Sequence, residues 1–134
     1  MKKFFSISYT NSSFNIAMLL LRIGAGGLLM SHGYQKLVHF SEMQSKFMNF
    51  MGLGPTLSLC LVIFAEFFCS MFIIIGLFTR LVSVPPIIVM AVALFKAHNM
   101  DVFDTGEKAA LFLVSFIVIL LLGPGKASVD GIIR

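Results

Sequence analysis

The chain has 134 residues, of which 58% are hydrophobic and 12% charged, with a mean hydropathy of +0.98. Soluble domains carry about a quarter charged residues and fewer than half apolar ones, so there is too little charge to cover a water-facing surface, and a soluble globular protein is excluded. Net charge is +4, ten Lys and Arg against six Asp and Glu. The basic residues stand singly between apolar runs without an aromatic-interleaved stripe, which argues against nucleic acid as a partner. The length fits one domain, and what remains is an integral membrane protein whose first partner is the lipid bilayer.

Met1-Lys2-Lys3 has the charge of a signal peptide's start. Arg22 interrupts the apolar stretch behind it and no convincing small-x-small cleavage site follows, so the segment is expected to be retained. Four apolar segments stand out, at about 14–33, 57–78, 81–97 and 106–123. A spanning helix needs roughly 20 residues for about 30 Å of hydrocarbon, so the last two are at the short end. Helix is the state such runs adopt in lipid, since the alternation of a barrel strand is absent. The expected fold is all-α: a polytopic membrane four-helix bundle, one domain over 1–134.

The first segment carries Arg22 and then Gly24-Ala25-Gly26-Gly27, small residues that allow close helix approach in lipid or leave room for a flat ligand beside the charge. In the connection that follows, Phe40, Met43, Phe47 and Phe50 recur at three- and four-residue steps, with Glu42, Ser45, Lys46 and Asn49 between them. That pattern predicts a short interfacial amphipathic helix between spans 1 and 2, with lipid or the bundle end beneath it, Ser41 and Gln44 as a capping signature and Gly52-Leu53-Gly54-Pro55 as its stop.

The second segment holds Glu66 and both cysteines, Cys60 and Cys69, which nine residues place on opposite helix faces about 13 Å apart along the axis. They cannot bond within one helix. Without a C-x-x-C motif they read as packing residues. Thr79-Arg80 joins it to the third segment as a tight hairpin, with Pro85 and Pro86 expected in the first turn or so, where a missing N–H matters least. Asp104 followed by Glu107 reads as a capping box for the fourth.

An even number of spans puts both termini on one side, with Lys2, Lys3, Arg80, Lys126 and Arg134. Lys36, Lys46, Lys96 and Lys108 occupy the other. The excess of Lys and Arg on the first side makes both termini cytoplasmic.

Arg22 and Glu66 lie deep within spans, where a charge costs about 2.5–3.5 kcal/mol on insertion scales and finds a partner. Counted from their segment ends, Arg22 is about 12 Å in from one side and Glu66 about 13 Å from the other, so an Arg22–Glu66 pair is expected, as a packing device or as a ligand or proton site. His32 and His98 end segments one and three on the same side, and Glu107 opens segment four there. The three gather at one mouth of the bundle. Two such histidines could hydrogen-bond as caps, ligate a metal or haem, or donate to a quinone, and no C-x-x-C-H motif fixes the choice.

Leu21-Arg22-Ile23-Gly24 with Ser31-His32-Gly33-Tyr34-Gln35-Lys36-Leu37 resembles the first-span signature of the DoxX family of small bacterial membrane proteins. Glu66 with Gly76-Leu77-Phe78-Thr79-Arg80 is similar to its second span and turn, and His98 with Glu107 to its third loop. Gly123-Pro124-Gly125-Lys126-Ala127-Ser128-Val129-Asp130 is similar to its ending. The likeness runs in order from about residue 15 to 132. It implies a four-span protein of the bacterial cytoplasmic (inner) membrane, in a family named for relatives associated with a thiosulfate:quinone oxidoreductase and linked in part to membrane complexes for oxidative and thiol stress. The family has no accepted catalytic set, so Arg22, His32, Lys36, Glu66, Arg80, His98, Glu107 and Asp130 are motif positions.

Together these features suggest a subunit or accessory of a redox-linked membrane process, quinone or thiol/sulfur-associated, with Arg22 and Glu66 as the buried polar centre and His32, Lys36, His98 and Glu107 as further ligand-binding candidates. No intrinsic cofactor or metal motif is evident, and quinone is the compatible cofactor. Membrane oxidoreductase subunits or further copies of the chain are compatible partners. A non-catalytic scaffold or a small transporter is the alternative, and a thiol oxidoreductase would need paired cysteines that the chain lacks.

Overall fold

The computed structural model describes residues 4–47, 52–97 and 106–133, and the regular structure among them is entirely helical. Helix α1, Asn11–Val38, is capped by the Thr10 hydroxyl, which accepts the Ser13 N–H at 3.1 Å. Its 28 residues span about 42 Å, overshooting the apolar segment at both ends, so that Lys36 lies in its last turn. Helix α2 is a single turn, Phe40–Met43. Phe40, Met43 and Phe47 are half-buried while Glu42, Ser45 and Lys46 are exposed, so the expected two-faced pattern is there without a helix of any length. His39 occupies the N-cap, its Nδ1 2.8 Å from the Gln35 carbonyl oxygen instead of capping the turn, leaving Ser41 inside the turn rather than before it. Phe50 and Asn49 lie outside the described residues.

Helix α3, Pro55–Ile75, starts with a proline at its first position behind Gly54, where the absent N–H is no loss. Six of its residues, Phe64–Cys69, are wound as a π-helix. It stops in a Schellman motif: Gly76, at φ 76°, donates to the Ile73 carbonyl and Leu77 to that of Phe72. Helix α4, Thr79–Lys96, passes at its C-terminal end into a π-helical stretch, Ala93–Ala97. It begins earlier than the apolar run predicts, because Asp130 caps it. Pro85 and Pro86 therefore fall inside the helix, not in its first turn, and remove the N–H groups that would bond the Leu81 and Val82 carbonyls. Helix α5, Glu107–Leu122, has Gly106 as its N-cap, which puts Glu107 at the first helical position and not in the third position of a capping box; Asp104 lies outside the described residues. A short α6, Val129–Ile133, follows.

Helices α1, α3 and α4 are long and apolar enough to cross a membrane. The equally apolar α5 has 16 residues and packs along α4 and α1. The core joins Met18 and Leu29 of α1, Ile73 of α3, Met90 and Leu94 of α4, and Ala109, Phe116 and Ile119 of α5.

Glycines fix how α1 meets α3. A Cβ on Gly33 would stand 2.7 Å from the Phe67 nitrogen and 2.8 Å from the Glu66 carbonyl carbon, and one on Gly26 3.0 Å from Ile74 and 3.3 Å from the Ser70 carbonyl oxygen. Gly26 thus serves close packing and leaves no room for a ligand. The two helices run antiparallel with Gly33 level with Glu66. Gly24 and Gly27 face open space. Gly33→Ala should therefore lower stability by about 1–3 kcal/mol, as overpacking does. Gly24→Ala should raise it by about 0.5–1 kcal/mol through helix propensity. Unfolding in SDS followed by circular dichroism reads the opposite signs.

Candidate functional site

Glu66 is 4% exposed in the π-helical part of α3, in surroundings where an ionised carboxylate needs a charged partner. Gly33 draws α1 against it, and one turn on, Lys36 reaches Glu66 Oε1 at 2.7 Å. This is the one ion pair among the described residues. The ammonium sits at the end of a flexible stem whose methylenes cover apolar surface.

The pair lies on the wall of a cleft of about 640 Å³ between α3 and α4. Val62 and Ala65 form one side and Ile88, Val89 and Val92 the other, with Phe47 contributed by the loop after α2. Lys36, Glu66 and Ser58 are the polar residues on an otherwise apolar lining. Both π-helical stretches reach it, the first through Phe64, Ala65 and Glu66 and the second through Ala93. Such insertions are frequent at functional sites. Chemically the wall offers a cationic donor and an anionic acceptor side by side, next to a volume suited to an apolar body.

Arg22 is not Glu66's partner. The depth count treats both apolar segments as equal rods with level ends, but Gly33 is level with Glu66, and Arg22 lies 11 positions below Gly33, about 16 Å away. At its own height α3 is ending. There the fully buried guanidinium donates from Nη1 to the Ile73 and Ile74 carbonyls at 3.4 and 3.2 Å and from Nη2 to the Ala127 carbonyl. The last carbonyls of a helix lack intrahelical partners and carry its negative dipole end, which is why both Nη atoms are engaged without a carboxylate in contact. Its Nε has no hydrogen-bond partner among the described residues.

Asp130 lies close enough to Arg22 to attract it electrostatically. Its two carboxylate oxygens accept the Phe78 and Thr79 N–H groups at 2.9 Å each, and its own N–H donates to the Gly76 carbonyl. The ending thus folds back as a cap on the α3–α4 turn. Lys126 N–H, bonded to Asn15 Oδ1 at 3.0 Å, ties the same segment to α1.

Of the three mouth residues, the structure describes His32 and Glu107. His32 stands edge-on to Phe112 of α5, ring centroids 5.9 Å apart, a packing contact. Glu107 is exposed at the start of α5. His98 lies outside the described residues. Both cysteines are free thiols, Cys69 buried and Cys60 exposed. Sequence reasoning placed Lys36 among the candidates without seeing its partner, although a glycine one turn before a lysine is the signal of a close crossing with a cation just beyond it. The cap made by Asp130 was missed altogether.

Lys36→Met leaves a buried carboxylate unpaired and should destabilise the fold by about 3–5 kcal/mol, whereas Lys36→Met with Glu66→Leu should recover most of that loss. A double-mutant cycle on SDS unfolding measures the coupling.

No curated protein and no solved structure matches the chain. The family model DoxX matches residues 17–99, from the first turns of α1 past the end of α4, a stretch that includes Arg22, His32, Lys36, Glu66, Arg80 and His98. With more than half of the 134 residues inside that match, the chain belongs to the DoxX family.

Proposed function

We propose that this protein is a subunit or accessory of a redox-linked membrane process, quinone or thiol/sulfur-associated, and that the α3–α4 cleft takes a quinone or a similar lipid-soluble ligand with its head against Lys36 and Glu66. The observation that carries this is the Lys36–Glu66 pair at 2.7 Å on the wall of an apolar cleft. A quinone carbonyl accepts from an ammonium, a quinol hydroxyl donates to a carboxylate, and the isoprenoid tail suits the apolar lining. The pair thus serves both redox states without a cofactor held by the chain itself. Arg22, enclosed by carbonyls, belongs to the frame of this site rather than to its head-binding groups. His32, packed on Phe112, and Glu107, exposed at the start of α5, do not line the cleft.

In this scheme α5 is the fourth span of a four-helix bundle. Its 16 residues cover about 24 Å, short of the hydrocarbon thickness but within reach if flanking residues or local thinning complete the crossing. Both termini then lie on the cytoplasmic side of a bacterial inner membrane, as the Lys and Arg distribution favours, and the turn of α2 lies at the opposite interface. Oxidoreductase subunits in the same membrane, or further copies of this chain, receive or supply the reducing equivalents.

The test is quinone carried through purification in mild detergent, extracted and quantified, for the natural sequence, Lys36→Met, Glu66→Gln and the exposed control Glu42→Gln. The natural protein and the control should retain quinone, and the two cleft variants should lose roughly tenfold of it, the equivalent of about 1.4 kcal/mol of lost contact. A folded natural protein that retains none and binds none when it is supplied would leave a scaffold or small transporter in its place.

A further inference from the structure

A second cleft, about 360 Å³, lies between the α3–α4 turn and the chain's ending, with Phe78, Arg80, Leu81, Pro124 and Asp130 among its lining. Arg80 is exposed and makes no hydrogen bond or ion pair with a described residue. Its guanidinium turns its Nε–Nη2 edge toward Gly123, where a Cβ would stand 3.2 Å from both atoms, and this leaves the Nη1–Nη2 side of the fork for a ligand. Gly123 also holds φ 86°, a left-handed conformation that favours glycine there. Asp130 shares the cleft, but both of its oxygens are engaged by the Phe78 and Thr79 N–H groups. Lys126, exposed nearby in the chain, adds positive charge. At the rim, Phe78 is 59% and Leu81 71% exposed.

We infer that this cleft binds an anionic glycerophospholipid, its phosphate on the Arg80 guanidinium and its acyl chains over Phe78 and Leu81. Arg presents a planar fork that matches phosphate oxygens in pairs, and basic pockets at the ends of spans recognise acidic headgroups. The apolar rim distinguishes a lipid from a soluble phosphate ester. The site shares no lining residue with the Lys36–Glu66 cleft, although Leu81 of the one and Pro85 of the other stand only a turn apart on α4.

Native mass spectrometry of the protein released from micelles doped with equal phosphatidylglycerol and phosphatidylcholine tests it. The natural protein should retain phosphatidylglycerol in preference. Arg80→Gln should weaken that preference about fivefold, the equivalent of roughly 1 kcal/mol per basic contact. Arg80→Lys, which keeps charge and loses the fork, should fall between the two. Lys108→Gln, at the opposite end, should match the natural protein. An Arg80→Gln protein with a natural circular dichroism spectrum and an undiminished preference would overturn the proposal, and so would equal losses in Arg80→Gln and Lys108→Gln, the mark of diffuse charge. Glycerol phosphate competing as well as the lipid would show that Phe78 and Leu81 contribute nothing, and the lipid assignment would fall.

Discussion

The frame of this molecule depends on how one helix end is closed. In lipid, a carbonyl without a partner costs several kcal/mol, so a helix that stops beside others must have its last carbonyls met. Where α3 stops, Arg22 meets two of them and simultaneously holds the Ala127 carbonyl, which binds the chain's ending to the centre of the protein. Gly76 lies between that guanidinium and Ser128, in contact so close that no side chain fits there. Asp130 completes the closure by capping the helix that starts three residues later. One cation, one anion and one glycine thus join α1, α3, α4 and the C-terminal segment, and none of the three is left over for chemistry.

Lys36 and Glu66 are the counterpart. An ion pair wrapped wholly in protein would be weak evidence for function, since a well-packed apolar pair of the same volume is often as stable. This one opens onto a volume large enough for a ligand. Arg22, with no exposed surface, lacks that access, so the buried Arg22 holds the fold while the half-buried Lys36 faces the cleft.

Much of this was legible in the sequence, and the failures have a common cause. Composition alone dictated a helical membrane protein, and runs of apolar residues located every long helix to within a few residues, because hydropathy registers burial in lipid directly. The strings that resemble DoxX led to the family. What hydropathy does not register is where polar helix ends fall. Lys36 was assigned to a loop because a charged residue ends an apolar run, although α1 continues to Val38. Pro85 and Pro86 were assigned to a helix start because Thr79 and Arg80 look like a hairpin, although a distant aspartate allows the helix to begin there. The Arg22–Glu66 pairing failed for the same reason. Depth counted from hydropathy edges assumes level rods, and the contacts at Gly26 and Gly33 set α1 and α3 out of step.

The distribution of irregular helix points the same way as the polar pair. α1 and α5 keep α-helical hydrogen bonding throughout. The departures are concentrated in α3 and α4: a π-helical stretch at Phe64–Cys69, two consecutive prolines inside α4, and a second π-helical stretch at Ala93–Ala97. Each weakens the backbone ladder, and each contributes a residue to the lining of the same cleft, Glu66, Pro85 and Ala93 respectively. Packing alone gives no reason for one side of the molecule to bear all of these weaknesses while the other is ideal. The ligand proposed for this cleft supplies one, because local rules are broken where function requires it.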